Sequence, residues 1–268
     1  MKRNILFTLA LVATLSCEND ITPALIGDFN IQQIVSNSNT DHSQTDDFSY
    51  NVDNKLISVK RNLAYDGDFA ASAELIEFQY EGETLVSRTH QYLPSDTIHQ
   101  KISYTYLPNG SLHKELYAYT YTGELQVEWI NEYEYSPNGD LFKKSSYNPD
   151  SPDTRNWAQY YWKNGNVNKI ENYYGGSLRY ESFFTYDNAT NYKLGNPFFN
   201  DYEASLVNKN NLTQVKYVDY SGVLDLACNP CNYAYQYNNQ SLPVKVTGPS
   251  SFASELTISY EMIERDIN

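Results

Sequence analysis

Cys228 and Cys231 have a spacing that could support chemistry. They form a C-x-x-C pair, and such pairs occur in redox sites, zinc sites and short disulfides. A redox pair typically opens a helix after a strand, whereas this pair precedes the aromatic, strand-like segment Tyr233 to Tyr237. A zinc site needs a second pair of ligands, and none lies nearby in the sequence. We therefore predict a disulfide that closes a loop tip, with free thiols as the alternative.

The four histidines, His42, His90, His99 and His113, are the other candidate metal ligands. His90 and His99 flank one predicted hairpin loop that also contains Asp96, so a metal pair is conceivable there. Because no further ligands lie close in the sequence, solvated loop histidines are the favoured interpretation. We predict no metal site and no cofactor.

No arrangement of catalytic residues stands out. The sequence has no Ser/His/Asp order typical of a hydrolase, no Gly-rich phosphate loop and no evident carboxylate pair. Acidic residues are plentiful, so a glycosidase pair distributed along the chain is the alternative. We predict a protein that is not an enzyme.

Trp157, Tyr161 and Phe183 are the candidate ligand-binding residues. Strand side chains alternate between two faces, so Trp157 and Tyr161 lie opposite the aromatic pair Tyr160 and Trp162, on an otherwise polar face. Phe183 takes the same position two strands later. Exposed rings among Asn and Gln suit the stacking of a sugar or contact with a protein partner. The alternative is a small second core beneath a loop, or contacts that cover a sheet edge.

A repeated hairpin must position these residues, and its clearest copy runs from Tyr133 to Leu141. Tyr133 and Tyr135 share one face, Pro-Asn-Gly supplies the turn, and Leu141 enters the next strand. The second aromatic residue recurs at positions 50, 80, 106, 135, 162 and 186, which is typical of a repeated supersecondary unit. Hydrophobic residues after the turns are three apart, as in Leu56 and Val59, and a bulge just past each turn would explain this spacing.

Outside the clearest repeats, the pattern predicts a first strand from Phe29 to Ile34 and a last one from Leu256 to Met262. Ser36 to Asp47 is polar and without periodicity, so we predict a loop there. Tyr202 to Val207 is the only stretch that we predict as a short helix.

The start of the chain predicts a cellular location. A basic Met1-Lys2-Arg3 precedes an apolar stretch from Ile5 to Leu15, which is too short to span a bilayer. Ser16-Cys17 then resembles the lipobox of bacterial lipoproteins, in which the cysteine is diacylated and becomes the mature N-terminus. The alternative is an ordinary secretory signal with an incidental cysteine. Glu18-Asn-Asp20 resembles the acidic signals that send Bacteroidetes lipoproteins to the cell surface.

These features divide the chain into a signal peptide (1–16), a lipidated N-terminus and tether (17–27) and one β domain (28–268). Removal of the signal leaves 17 basic against 33 acidic side chains, a net charge near −16. Phosphates would be repelled, so we expect no nucleic-acid partner and membrane contact through the lipid anchor only. We expect a monomer.

Several segments in the second half of the chain carry a resemblance to a known family. They are Phe184 to Asn188, Asn196-Pro197, Asn210 to Val215 and Tyr235 to Val246. They resemble the C-terminal half of a Bacteroidetes lipoprotein family of unknown function, described as having a porin-like fold. Single hairpins also resemble the Tyr-Asp repeats of Rhs shells. The resemblance covers most of the mature chain and implies a long antiparallel meander that curls towards a barrel, without known catalytic residues.

The predicted fold is all-β, a long antiparallel meander of Tyr-x-Tyr hairpins that curls into an open or partly closed barrel-like sheet. The faces opposite the Tyr rows carry Glu, Lys, Gln and Asn, whereas a membrane barrel needs an outward apolar band, so we predict a soluble rather than a transmembrane sheet. We expect an outer-membrane lipoprotein, on the cell surface or the periplasmic face, that binds or scaffolds a glycan or protein partner. The alternative is an envelope hydrolase that acts on glycans.

Overall fold

The computed structural model describes residues 29–37, 42–65, 72–193, 196, 199, 208–222, 224, 228–249 and 255–262. The predicted signal peptide, Cys17, the tether and the predicted short helix at 202–207 lie outside these residues. Within them, no helix is long and apolar enough to cross a membrane.

The described residues form 17 β-strands in chain order. Their bounds are β1 (Phe29–Asn37), β2 (His42–Tyr50), β3 (Leu56–Tyr65), β4 (Ser72–Glu81), β5 (Thr84–Leu93), β6 (Ile98–Tyr106), β7 (Leu112–Tyr121), β8 (Glu124–Tyr135), β9 (Leu141–Tyr147), β10 (Asn156–Lys163), β11 (Asn166–Tyr174), β12 (Ser177–Thr190), β13 (Asn210–Asp219), β14 (Cys231–Asn232), β15 (Ala234–Tyr237), β16 (Pro243–Thr247) and β17 (Glu255–Met262).

The strands form one antiparallel meander that closes on itself. β1 pairs with both β2 and β17, so that Ile34 faces Asp46 on one side and Ile258 on the other. β14 and β15 are two halves of one strand on either side of Tyr233, whose N–H donates to the carbonyl of Thr213 at 2.8 Å. The pairing of β13 with β14 is short, with two residue pairs. The prediction of an all-β meander curling into a barrel-like sheet is confirmed.

The prediction of a polar loop from Ser36 to Asp47 is wrong, because β2 begins at His42. This polar stretch forms a strand because its inward side chains bind one another and their neighbours. Asp46 is buried, its Oδ1 accepts from Arg61 Nε at 2.9 Å, and its Oδ2 accepts from Gln44 Nε2 at 2.8 Å. Paired charges of this kind remain compatible with burial, although they carry no hydrophobic signal in the sequence.

The barrel has two different ends. We call the turn end the one with the tight turns after β2, β4, β6, β8 and β10, and the loop end the opposite one. Gly139 takes a φ of 86° in the turn after β8, a conformation that L residues rarely adopt. β1 starts at the turn end with Phe29, because it reaches β2 through the connection at the loop end.

A bulge follows each of these tight turns, as the spacing of hydrophobic residues predicted. Tyr135 faces Leu141 while Glu134 faces Lys143, so Phe142 is the extra residue of the bulge. The same shift occurs at the pairs Tyr50–Leu56, Tyr80–Leu85, Tyr106–Leu112, Trp162–Val167, Tyr186–Leu212 and Tyr237–Pro243. The bulge keeps the second aromatic residue and the first hydrophobic residue of the next strand together on the inner face.

The inward aromatic residues also hold the hairpins to one another. The polar tips of eight of the described aromatic residues donate to a main-chain carbonyl of the hairpin or strand before them, and we call this set of hydrogen bonds the aromatic ladder. Its members are Tyr50 to Ile31 (3.0 Å), Tyr80 to Leu56 (3.0 Å), Tyr106 to Leu85 (2.7 Å), Tyr135 to Leu112 (2.8 Å), Trp162 to Leu141 (2.7 Å), Tyr186 to Val167 (2.6 Å), Tyr235 to Leu212 (2.8 Å) and Tyr260 to Pro243 (2.9 Å).

The ladder explains why tyrosine is repeated where a purely hydrophobic residue would also fill the core. The paired residues of β3 and β4 stop at Ser58 and Glu77, so the carbonyl of Leu56 lies beyond the last strand pair. The phenol of Tyr80 reaches this carbonyl, while its ring packs against the core. Tyrosine supplies both an apolar body and a donor for a main-chain group that would otherwise need water.

The inner face changes from apolar to polar along the barrel. Towards the turn end it carries two hydrophobic clusters, in which Val59, Ile102 and Val167 are completely buried. Tyr192 and Phe199, from the segment between β12 and β13, pack into the larger cluster. Towards the loop end, an inner polar belt crosses four successive strands. Its members are Asp46, Arg61, Glu74 and His90, linked in that order at 2.9, 3.4 and 2.9 Å.

Candidate functional site

Trp157, Tyr161 and Phe183 lie together on the outer face of the barrel, across three adjacent strands. Tyr161 on β10 faces Lys169 on β11, which in turn faces Phe183 on β12. Trp157 faces Tyr173 four residue pairs nearer the loop end. We call this surface the outer patch. It consists of Trp157, Tyr161, Lys169, Glu171, Tyr173, Glu181 and Phe183.

The aromatic rings of the outer patch are ordered by their neighbours. The rings of Trp157 and Tyr173 stack with centroids 4.9 Å apart and an interplanar angle of 11°. Lys169 Nζ lies 4.1 Å from the centre of the Tyr161 ring. Trp157 and Tyr161 are half-buried, Phe183 is 37% exposed, and none of the three belongs to a buried core cluster. The patch therefore presents flat ring surfaces to solvent over a fixed charged base.

Glu171 is the hydrogen-bonding centre of the outer patch. Its Oε2 accepts from the phenols of Tyr161 at 2.7 Å and Tyr173 at 2.9 Å, while its Oε1 accepts from Lys169 Nζ at 2.5 Å. Burial alone would raise the pKa of Glu171, but these donors outweigh it and lower that pKa. Burial and the bond to Glu171 raise the pKa of Tyr161 to about 12.

Glu171 and Glu181 form the carboxylate pair closest to the aromatic rings. The two residues face each other across β11 and β12, and Lys169 Nζ contacts both, at 2.5 and 3.2 Å. A glycosidase needs one carboxyl group with a raised pKa to act as the acid. The donors around Glu171 act in the opposite direction, so Glu171 does not have the raised pKa of such an acid.

A second cluster of functional side chains lies on the inner face near the loop end. The interpretation of His90 and His99 as solvated loop residues is wrong, because they lie in β5 and β6 and converge on Glu74 of β4. Glu74 Oε1 is 2.9 Å from His90 Nδ1 and 3.5 Å from His99 Nε2. The side chains of Glu74 and His90 are nearly buried, and that of His99 is 27% exposed. We call these three residues the inner cluster.

The surroundings of the inner cluster set its charge. Burial alone would raise the pKa of Glu74, but the hydrogen bond and charge of His90 and the charges of Arg61 and His99 outweigh it and lower that pKa. Burial lowers the pKa of His99, although the charge of Glu74 opposes this effect. Around neutral pH the carboxylate is therefore charged and the His99 ring neutral.

The sequence analysis did not identify Glu74, nor the charged residues Lys169 and Glu171 of the outer patch. Glu74 shares the alternation of Phe78 and Tyr80, so the pattern did place it on the inner face. The positions of Lys169 and Glu171 were hidden, because the bulge after the turn shifts the alternation by one residue. Contacts between different hairpins, such as Glu74 with His99, depend on strand register and have no local signal.

Cys228 and Cys231 lie where the connection from β13 reaches β14, and Cys231 faces Val215 in the middle of β13. The structure joins them in a disulfide with an S–S distance of 1.87 Å and Cα atoms 5.1 Å apart. Asn229 between them caps the neighbouring strand, because its Nδ2 donates to the carbonyl of Tyr217 and its Oδ1 accepts from the Tyr217 N–H. The pair thus pins a connection to the edge of β13.

Comparison with known proteins identifies a fold. No family model and no curated protein matches the chain. A porin-like protein from Bacteroides uniformis is similar over 87% of this chain and 98% of its own, with a TM-score of 0.57 and 10% identity. A porin-like protein from Bacteroides vulgatus covers 87% of this chain and 99% of its own, with a TM-score of 0.39 and 11% identity.

A third solved structure, TcdB2-TccC3, matches 76% of this chain and 13% of its own length, with a TM-score of 0.34 and 17% identity. The similarity to the Bacteroides uniformis protein shows that the chain shares its fold with a porin-like protein of Bacteroides. This result confirms the resemblance to a porin-like fold.

Proposed function

We propose that this chain is a non-enzymatic envelope protein, anchored by a lipid on Cys17, that binds a glycan through the outer patch. The observation that carries the proposal is the stacked pair of Trp157 and Tyr173, with Phe183 farther along the same outer face. Flat aromatic faces of this kind are suited to the apolar face of a sugar ring. The predicted lipobox and the porin-like fold support the envelope as the compartment.

The charges of the outer patch favour a neutral, hydroxyl-rich ligand. Lys169 already binds Glu171 and Glu181, and the phenols of Tyr161 and Tyr173 already donate to Glu171. The carboxylates retain free lone pairs, which accept hydrogen bonds from hydroxyl groups. An anionic ligand would meet these two carboxylates and a chain of high negative charge, so it is disfavoured.

The position of the outer patch fits an anchored binder. The predicted tether joins β1 at the turn end, where Phe29 begins the strand. Trp157 lies at the start of β10, at the loop end of the barrel. A lipid on Cys17 would therefore hold the turn end towards the membrane and direct Trp157 away from it.

The outer surface supports a barrel that is surrounded by water. Outward positions on β2 and β3 carry Asp47, Ser49, Ser58 and Lys60, and Glu77 continues this row on β4. A barrel within a bilayer needs an apolar outer band, because charged groups facing lipid are costly. We infer that contact with the membrane is made through the lipid anchor alone.

The test is retention of the mature chain on immobilised neutral polysaccharides, compared between the wild type and Trp157→Ala. We expect the variant to bind at least about tenfold more weakly, as loss of an aromatic anchor costs roughly 2 kcal/mol of binding. Trp129→Ala is the control for the loss of an exposed tryptophan, since Trp129 is 38% exposed and faces Tyr117 on the inner side of β8, away from the outer patch.

Two results would contradict the proposal. Equal binding by wild type and Trp157→Ala would remove the outer patch as the site. Release of shortened sugars during the incubation would favour the glycan hydrolase.

A thermal melt of Trp157→Ala accompanies the assay. Loss of the stack on Tyr173 should lower the free energy of unfolding by about 1 kcal/mol, whereas loss of a core tryptophan would lower it by roughly 3 to 5 kcal/mol.

A further inference from the structure

We propose that the inner cluster, Glu74, His90 and His99, is a binding site for one divalent transition-metal ion such as Zn²⁺. This inference is independent of the proposed glycan binding, because the inner cluster and the outer patch lie on opposite faces and on different strands. The three side chains come from three successive strands, β4, β5 and β6, and offer one oxygen and two imidazole nitrogens.

The distances from the Glu74 oxygen to the two imidazole nitrogens are close to those around a tetrahedral ion. All three atoms lie within 4.8 Å of one another. Ligands at about 2.0 to 2.2 Å from Zn²⁺ are separated by roughly 3.3 to 3.6 Å in a tetrahedron. The distance of 3.5 Å from Glu74 Oε1 to His99 Nε2 falls in this range, and it is longer than an ordinary hydrogen bond. His90 Nδ1, at 2.9 Å from the same oxygen, needs to move by only a few tenths of an ångström.

The backbone of β6 is shaped to deliver His99 to this position. His90 faces Gln100 and Gln91 faces Ile98, so His99 is the extra residue of a bulge. A bulge changes the direction of a side chain that regular alternation would send to the other face. The ring of Tyr92 then stacks on the ring of His99, with centroids 4.0 Å apart and planes within 10°.

The carboxylate is oriented by the inner polar belt. Arg61 Nη1 contacts Glu74 Oε2 at 3.4 Å, and Arg61 Nε binds Asp46 Oδ1 at 2.9 Å. Oε2 is thereby occupied, and Oε1 is left facing both imidazoles. Partners that orient a ligand in this way are typical of metal sites, where their loss weakens metal binding.

The donor set selects the class of ion. Two imidazoles and one carboxylate suit Zn²⁺ and its neighbours among the transition metals, whereas Ca²⁺ and Mg²⁺ prefer oxygen ligands throughout. Three protein ligands leave a fourth position of the tetrahedron for water or a small ligand. The 27% exposure of the His99 side chain provides access to it.

The experiment titrates Zn²⁺ into the tag-free mature chain by calorimetry, with Ca²⁺ and Mg²⁺ in parallel. We expect one Zn²⁺ per chain with a dissociation constant below about 10 μM, a higher melting temperature in its presence, and no response to the other two ions. Co²⁺ should give the intense visible absorption of a tetrahedral site.

Variants assign the ion to these residues. His99→Gln should weaken Zn²⁺ binding at least about tenfold and abolish the Co²⁺ absorption, and Glu74→Gln should act likewise. His99 is only half-buried, so its variant is expected to fold. His113→Gln is the control, since His113 is an exposed residue of β7 near the turn end. Absence of stoichiometric binding, or equal Zn²⁺ binding by wild type and His99→Gln, would overturn the proposal.

Discussion

The phenol of Tyr135 donates a 2.8 Å hydrogen bond to the carbonyl of Leu112, which begins the second strand of the preceding hairpin. The two residues lie on different hairpins, so the bond joins repeats rather than the strands of one repeat. Equivalent bonds recur around the barrel in the aromatic ladder. Removal of any one of them should therefore cost stability without disturbing a turn.

Tyr135→Phe should lower the free energy of unfolding by about 1 to 2 kcal/mol, because the half-buried ring keeps its packing while the carbonyl of Leu112 loses its donor. Denaturant unfolding followed by circular dichroism measures the change. Tyr174→Phe is the control, since this tyrosine is 43% exposed and should stay within about 0.5 kcal/mol of wild type. Equal stability of both variants would show that the ladder bond contributes nothing.

The ladder tyrosines predict loss of stability at alkaline pH. Burial raises the pKa of Tyr50 and Tyr186 well above 10, and that of Tyr135 to about 12. In the unfolded chain these phenols lose their protons near pH 10, whereas the folded protein keeps them. Above pH 10 the unfolded state thus binds fewer protons, and stability falls as the pH rises. Tyrosinate absorbance and the circular dichroism signal should change together above pH 10.

Lys193 acts in the opposite direction at lower pH. Its ammonium lies over the rings of Tyr192 and Phe199, and burial lowers its pKa to about 8. Since the unfolded chain keeps this proton up to about pH 10.5, stability should rise between pH 8 and 10.5. Lys193→Met should remove this rise and leave the decline above pH 10. A wild-type protein whose stability falls steadily from pH 8 would contradict the assignment.

Cys17→Ala should leave the β domain folded and release it from membranes, because the diacyl group supplies the hydrophobic anchor. The measurement is fractionation of cells that express the variant, with a high-salt wash to remove electrostatic contacts. Ser16→Gly serves as the control, since a small residue is kept before the cysteine. A variant that still sediments with membranes would refute the lipoprotein prediction.

The mature chain should carry a disulfide between Cys228 and Cys231 that resists alkylation in the native state. Intact mass before and after reduction, with an alkylating reagent present, measures it. Replacement of both cysteines by serine should cost about 2 kcal/mol or less, because the closed loop is very short. Rapid labelling of the unreduced protein would show free thiols instead.

Local patterns predicted the architecture because they repeat along the chain. The alternation of Tyr133 and Tyr135, the turn at Gly139 and the spacing of Leu56 and Val59 specified hairpins, inner faces and bulges. Closure of the ring was beyond such patterns, since it depends on the pairing of β1 with β17.

The two candidate sites differ in how far the sequence pattern could predict them. The sequence pattern could identify Trp157, Tyr161 and Phe183 as outward residues, because they alternate out of phase with the inward aromatic pairs. Glu74, His90 and His99 meet through the register of three strands and a bulge at His99. A shift of one residue in that register would send each side chain to the other face, so spacing alone could not bring them together.

The pairing of β1 with β17 has a consequence for synthesis and folding. Ile34 finds its partner Ile258 only after almost the entire domain has been made, so a nascent chain holds a growing sheet with two open edges. Such distant contacts make folding slow, and open edges invite pairing with other chains. A protein with this topology depends on keeping the edge of β1 that faces away from β2 unpaired until its last strand emerges, and chaperones that shield strand edges should raise its yield.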